Sequence, residues 1–170
     1  MKKLTVFLAI LILAICTLNN NKIPNESIRF RVIAQSNSKE DQELKKKIVL
    51  NLKDEINKIE KSSSNILNTR KVIKQELPVI NNIIEKTISE SNINRKYSIK
   101  YGLNYFPKKA YKGEIYNEGE YESLVITIEE GQGDNFWCVL FPPLCLIEPT
   151  EEENIEYTSI IKEFINSIFK

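Results

Sequence analysis

The chain has 170 residues, with 24 lysine and arginine side chains, 23 aspartate and glutamate side chains and no histidine. This length predicts one domain, or one domain that follows a leader segment. Positive and negative side chains are balanced, so the chain lacks the excess positive charge that is typical of nucleic-acid-binding proteins, and nucleic-acid binding is not expected. Histidine is the commonest general base and metal ligand, and its absence favours a protein with no cofactor and no metal that is not an enzyme.

The N-terminal segment has the features of an export signal. Residues 1–18 read MKKLTVFLAILILAICTL, two lysines followed by an almost unbroken apolar run, which predicts a signal peptide or an N-terminal membrane segment. Ala14 and Cys16 provide the small residues of a cleavage site after Cys16, whereas Ile15 argues against a lipid anchor at Cys16. Cleavage and an uncleaved anchor both stay open. Residues 19–26 are polar and read as a linker.

The hydrophobic periodicity of the remaining chain predicts a single α+β domain over residues 27–170. Apolar residues alternate with polar ones where strands are expected and recur at spacings of three and four where helices are expected. The predicted elements are a strand at residues 27–35, helices at about 39–61 and 68–91, strands at 97–105 and 121–129, and a final helix with Ile155, Ile160, Ile161, Phe164, Ile165, Ile168 and Phe169. The order β-α-α-β-β-loop-α predicts a small, mainly antiparallel sheet with helices packed on one face.

Four local signals add detail to these elements. Arg29 and Arg31 alternate with apolar residues, so the first strand should carry arginines on its second face. Residues 36–38 read Ser-Asn-Ser and are typical of a helix N-terminus. Pro78 lies inside the second helical pattern, where a kink or a restart is expected. Residues 108–119 are rich in turn residues and predict a loop.

The most unusual stretch of the sequence is GQGDNFWCVLFPPLCLIE at residues 131–148. It contains the only tryptophan and two of the three cysteines, and it has no charge from Phe136 to Ile147. It is too short to span a bilayer, and its two adjacent prolines argue against a central strand, so a compact, stiff loop is expected. Its side chains either fill the core or form a rigid hydrophobic contact surface for a partner, with Phe136, Trp137, Phe141, Pro142, Pro143 and Leu144 as the candidates.

The cysteines of this stretch form a candidate disulfide. Cys138 and Cys145 bracket the two prolines, and two such cysteines in an exported chain favour pairing. The ring would stabilise the fold by about 2.5 kcal/mol on the chain-entropy estimate. The sequence leaves their oxidation state open.

Carboxylates around the third strand provide the one enzymatic alternative. An extracytoplasmic cell-wall hydrolase needs a pair of carboxyl groups across the scissile bond. A wall-binding module that uses surface carboxylates is the related alternative, and two glutamates that share a strand face could also form a cation site or a patch for a basic partner. Such side chains are more often plain solvated charges at strand ends. The candidates are Glu118, Glu120, Glu122, Glu129, Glu130 and Asp134.

Four segments of the chain carry a family pattern. They read RVIAQSNSKEDQELK at residues 31–45, NYFPKKAY at 104–111, EGEYESLVITI at 118–128 and GQGDNFWCVLFPPLC at 131–145. In this order they resemble the stage II sporulation protein R family. The last segment is the most specific, although Phe136 stands where the family usually has a second tryptophan.

The resemblance implies a signalling protein of endospore-forming bacteria. Such a protein is exported across the forespore membrane into the intermembrane space, close to the membranes on both sides. Its implied partner is a membrane-embedded aspartic protease of the mother-cell membrane, which it activates. The protease then cleaves the precursor of the mother cell's early sigma factor. The resemblance does not say which residues contact the protease.

Overall fold

The computed structural model describes residues 26–111 and 114–145, apart from the side chains of residues 109–115. The predicted leader at residues 1–18, most of the linker and the final helix lie outside the described residues. Three helices and six strands follow one another: β1 Ile28–Ile33, α1 Lys39–Asn51, α2 Lys53–Lys61, α3 Ile66–Glu90, β2 Tyr97–Phe106, β3 Lys109–Tyr111, β4 Glu114–Tyr116, β5 Gly119–Ile128 and β6 Asn135–Phe141.

Four of the strands form one mixed sheet in the order β2-β5-β1-β6. The pairs β2–β5 and β1–β6 are antiparallel, and β1–β5 is parallel. The α+β class and the mainly antiparallel sheet are therefore confirmed, as is the antiparallel pairing of the two strands predicted at 97–105 and 121–129. The parallel pair was not predicted, because alternation within a strand carries no information about the direction of its neighbour.

The core lies between one face of this sheet and the three helices. From β1, the side chains of Ile28, Phe30 and Val32 enter this core, while Arg29 and Arg31 lie on the opposite face. The alternation predicted for the first strand is thus confirmed. Apolar residues of the three helices complete the core, among them Leu44, Ile48, Leu52, Ile56, Ile59, Ile73, Ile80 and Ile84.

The helix predicted at residues 39–61 is two helices separated at Leu52. Ser38 caps the first, as predicted, because its hydroxyl accepts from the N–H of Asp41 at 3.2 Å. The backbone at Leu52 has ψ of −9°, which departs from the helical value near −42° and interrupts the regular geometry. The apolar spacing runs through both halves, so the periodicity could not reveal the break.

Pro78 lies within the continuous helix α3, and the predicted restart is absent from it. Proline removes one hydrogen bond, to the carbonyl four residues earlier. That carbonyl belongs to Lys74, which is exposed like Pro78 itself. Water can therefore satisfy the carbonyl, and the helix continues.

Two segments predicted as loops contain strands. Residues 135–141 of the apolar stretch form β6 at the edge of the sheet, and the stretch is a loop only beyond them. The prolines at 142 and 143 exclude a central strand but are compatible with an edge strand that ends before them. The loop predicted at 108–119 contains the small β3–β4 hairpin. Among the described helices, none has the length and apolar character needed to cross a membrane.

Candidate functional site

The turn between β5 and β6 packs against the loop that joins β1 to α1. The N–H of Gln132 donates to the carbonyl of Gln35 at 3.0 Å, and the N–H of Gly133 donates to the carbonyl of Ala34 at 2.9 Å. No side chain fits at Gly133, because a Cβ there would lie 2.3 Å from the carbonyl oxygen of Ser36. The Gly-x-Gly motif thus allows close backbone packing, which directs β6 back along β1.

A buried carboxylate holds the β1–α1 loop in place. The hydroxyl of Ser36 donates to Asp41 Oδ2 at 2.6 Å, and Arg95 Nη2 lies 3.0 Å from Asp41 Oδ1. Burial raises the pKa of Asp41, but hydrogen bonds from Ser36 and Ser38 and the charge of Arg95 outweigh burial and bring this pKa below its usual value. Asp41 is therefore ionised at neutral pH and stabilises the loop on which the β5–β6 turn rests.

Strand β6 and the residues after it carry the predicted contact surface. Phe136 points toward the helices, is only 3% exposed, and lies edge-to-face against Phe30 with ring centroids 6.0 Å apart. Phe136 is therefore a core residue, and its side chain is not part of the surface that a partner could contact. The contact role of the others stays a prediction: the half-buried Trp137, Phe141 and Pro142, and the exposed Pro143 and Leu144.

Trp137 lies on the face of the sheet opposite the three described helices, in a cluster of rings and guanidinium groups. Its ring is 4.9 Å from that of Phe106, and the guanidinium carbon of Arg31 lies 4.5 Å from the Trp137 ring. Arg29 stacks 3.4 Å from the ring of Tyr121 in the same cluster. Cation–π contacts of this kind stabilise partly buried arginines. One side of Trp137 is therefore engaged within the protein.

The segment Phe141–Leu144, which we call the proline tip, projects from the end of β6. A disulfide between Cys138 and Cys145 closes it at its base, and the peptide bond between Phe141 and Pro142 is cis. Cys145 is 3% exposed, whereas the adjacent Leu144 is 58% exposed. The tip thus presents apolar surface from a closed ring that is fixed in the core at one end.

Glu60 of α2 fixes the base of the proline tip from the helix side. The N–H of Cys145 donates to Glu60 Oε1 at 3.0 Å. Burial raises the pKa of Glu60, and the hydrogen bond from Cys145 opposes that shift only in part. The tip is therefore joined to α2 as well as to the sheet.

Two of the carboxylates proposed for an enzymatic alternative, Glu122 and Glu129, are engaged by other residues of the fold. Glu122 accepts from Arg70 Nη2 at 2.7 Å and from the hydroxyl of Tyr101 at 2.8 Å. The hydrogen bond from Arg70 holds the pKa of Glu122 below its usual value, which suits an ion pair rather than a general acid. Glu129 accepts from the N–H of Lys96 at 2.8 Å and lies in the turn after β5. Across residues 26–111 and 114–145, no three Asp, Glu, Cys or His side chains are grouped as metal ligands.

The sequence did not predict three contacts that fix Trp137 and the base of the proline tip. Arg31 was placed on the second face of β1, but its contact with Trp137 was not predicted. Phe106 directly follows the strand predicted at 97–105 and Glu60 lies within the helix predicted at about 39–61, and no contact is predicted for either. No local signal identifies these three contacts, because each joins residues that are 31 or more positions apart in the chain.

Comparison with known proteins identifies the family. A sequence model of the family described as stage II sporulation protein R matches residues 24–151. The chain belongs to the stage II sporulation protein R family. A relative from Bacillus subtilis (strain 168), named stage II sporulation protein R, is 38% identical over 134 residues, which is 79% of this chain. The chain spans only 60% of the length of that relative. No solved structure matches the chain.

Family membership supports a role in stage II of sporulation, and the matched region includes every residue that the structure describes. The resemblance read from the sequence is therefore confirmed. The first and last segments that carry it meet in space at the contact between Ser36 and Gly133. The family pattern thus includes the residues that position β6 and the proline tip.

Proposed function

We propose that this protein is an exported signal that activates a membrane-embedded aspartic protease during endospore formation. In this proposal it crosses the forespore membrane into the intermembrane space and binds the protease in the mother-cell membrane. The activated protease then cleaves the precursor of the mother cell's early sigma factor. Family membership carries the proposal, and the export signal predicted at residues 1–18 supports it.

The proline tip is the contact surface that we propose for the protease. A binding loop that is rigid before it docks loses little conformational entropy on binding. The tip meets that condition, because it is closed by the disulfide and joined to α2 through Glu60. Leu144 is an exposed apolar side chain of the tip, at 58%, and its burial against a partner would remove apolar surface from water and favour binding.

The experiment is a reconstitution in which the exported protein, the protease and the sigma-factor precursor are produced together in a non-sporulating host. We expect Leu144→Ala to lower cleavage of the precursor about tenfold, which corresponds to the loss of one interface anchor. The fold should be unaffected, because the side chain is exposed. Leu50→Ala is the matched control, since Leu50 is an exposed leucine of α1 outside the tip.

Two results would count against the proposal in different ways. Equal cleavage with Leu144→Ala and with the unchanged protein would remove the tip as the contact surface. No dependence of cleavage on the exported protein at all would remove the activation function. Secretion of each variant, measured by the amount recovered outside the cell membrane, separates loss of contact from loss of export.

A further inference from the structure

Strand β2 forms the edge of the sheet that lies opposite β6. It pairs with β5 on one side and has no strand on its other side within the part of the chain described here. The N–H of Glu129 donates to the carbonyl of Lys96, and this bond indicates that even-numbered residues of β2 direct their peptide groups toward β5. Peptide groups alternate in direction along a strand of an antiparallel ladder. The residues whose N–H and C=O groups face outward are therefore Tyr97, Ile99, Tyr101, Leu103 and Tyr105.

The outward edge of β2 is also apolar and accessible. Leu103 is 69% exposed and Tyr105 is 59% exposed, although both lie in a regular strand of ten residues. An edge strand with unpaired peptide groups is a template for another strand. Partner segments that add to such an edge gain affinity from main-chain hydrogen bonds and specificity from alternate side chains. The free edge therefore fits an extended segment better than a helix.

The charges around a groove between this edge and helix α3 indicate which charge a partner should carry. The groove has a volume of about 410 Å³ and is lined by Arg70, Lys74, Tyr101, Gly102, Leu103 and Glu122. Arg70 is neutralised by its ion pair with Glu122. Lys74 has no ion pair with any of the residues described, and neither has Lys100, which lies exposed on the other face of β2. The charge of Lys74 also helps to lower the pKa of Glu122, so the three charged groups of the groove sum to one positive charge. Lys100 adds a second positive charge on the other side of the edge, and both complement acidic side chains.

A second copy of this chain fits the edge less well. Strand β2 could pair antiparallel with β2 of a second copy. The register that pairs all the outward-facing residues places Tyr101 opposite Tyr101, and Lys100 is then a diagonal neighbour of Lys100 in the other copy. Diagonal neighbours on one face lie about 7–8 Å apart, so the two positive charges would repel each other. An acidic segment of a different protein meets no such repulsion.

We infer that the outer edge of β2 binds an extended, acidic segment of the membrane-embedded protease as an added strand. This inference rests on the proposed function, because it names the same partner. The proline tip follows β6 at one edge of the sheet, and β2 is the opposite edge. Three strand spacings place β2 about 14 Å from β6. The protease would therefore be held at two separate surfaces of the sheet.

The test measures the affinity of the purified exported protein for the detergent-solubilised protease. Leu103→Pro removes an outward N–H and blocks the edge, whereas Leu103→Ala removes the side chain and keeps the N–H. We expect about a tenfold loss of affinity for the proline variant, in line with the loss of main-chain pairing, and less than about a threefold loss for the alanine variant. Thermal unfolding of both variants checks that the fold is retained.

A charge variant keeps the test decisive if Leu103→Pro does not fold. Lys74→Glu combined with Lys100→Glu should weaken binding about tenfold, and Lys71→Glu, an exposed change on the same helix outside the groove, should leave it unchanged. Unchanged affinity in the paired lysine variant would overturn the edge inference while the proposed function stands. An unmodified protein that fails to bind the protease would overturn both. Edge variants that convert a dimer to a monomer would overturn it in favour of a second copy.

Discussion

Gly133 lies so close to Ser36 that a Cβ atom at position 133 would be 2.3 Å from the Ser36 carbonyl oxygen. The two residues are far apart in the sequence, and their contact joins the β5–β6 turn to the β1–α1 loop. Since β6 starts two residues later, this contact sets the path of the strand that leads to the proline tip. The position of the proline tip thus depends on Gly133, which lies near the opposite end of β6.

Gly133→Ala should destabilise the fold, because the added methyl group forces two backbone segments apart. Overpacking of this kind costs about 1–3 kcal/mol, and a backbone neighbour that cannot rotate away places this variant at the upper end. Urea unfolding of the purified protein measures the change. Gln132→Ala is the control, because its side chain is exposed and its backbone hydrogen bond to Gln35 is retained. Equal stability of the two variants would contradict the packing role of Gly133.

Trp137→Ala should lower stability by about 2–3 kcal/mol, below the range for a fully buried tryptophan because the ring is half-buried. The loss comes from the contacts with Phe106 and Arg31. Any loss of protease activation in this variant would then reflect unfolding as well as contact. A Trp137→Ala protein that unfolds at the same urea concentration as the unchanged protein would show that the ring is surface rather than core.

Removal of the disulfide should loosen the proline tip and lower stability. The combined change of Cys138 and Cys145 to serine should cost about 2.5 kcal/mol on the chain-entropy estimate for so short a ring. A reductant should lower the unfolding midpoint of the unchanged protein and leave that of the variant unaffected. Labelling of both thiols in the native, unreduced protein would show that the bond is absent in solution.

The ion pair of Asp41 should make stability depend on pH in the acid range. The pKa of Asp41 is lower in the folded protein than its ordinary value of 3.8, so its contribution is fully present above that value. The contribution should fall as the pH decreases below about 4, because the unfolded chain binds the proton first.

The matching substitution tests the same group. Asp41→Asn should cost about 2 kcal/mol at neutral pH, as expected when a charged hydrogen-bond partner is lost. It should also flatten the acid limb of the stability curve. Glu40→Gln, at an exposed neighbouring position, should do neither. An acid limb that is the same in Asp41→Asn and in the unchanged protein would exclude Asp41 as its cause.

Sequence periodicity predicted well those features that depend on residues close together in the chain. The two faces of β1 are one example, and the cap at Ser38 is another. Strand β6 was missed because its sequence is apolar on both faces, so period-two alternation is absent. One of these faces meets the helices through Phe136, and the other meets Arg31 through Trp137.

The sequence by itself determined the amphipathic helices, the arginines on the second face of β1 and the family, since each rests on residues that are close in the chain or on a motif. Only the tertiary structure decided that Phe136 is buried, that Leu144 is exposed and that β2 has a free edge. The physical reason is that an apolar side chain is equally suited to a core and to an interface. Which one it joins depends on the distant segments that cover it.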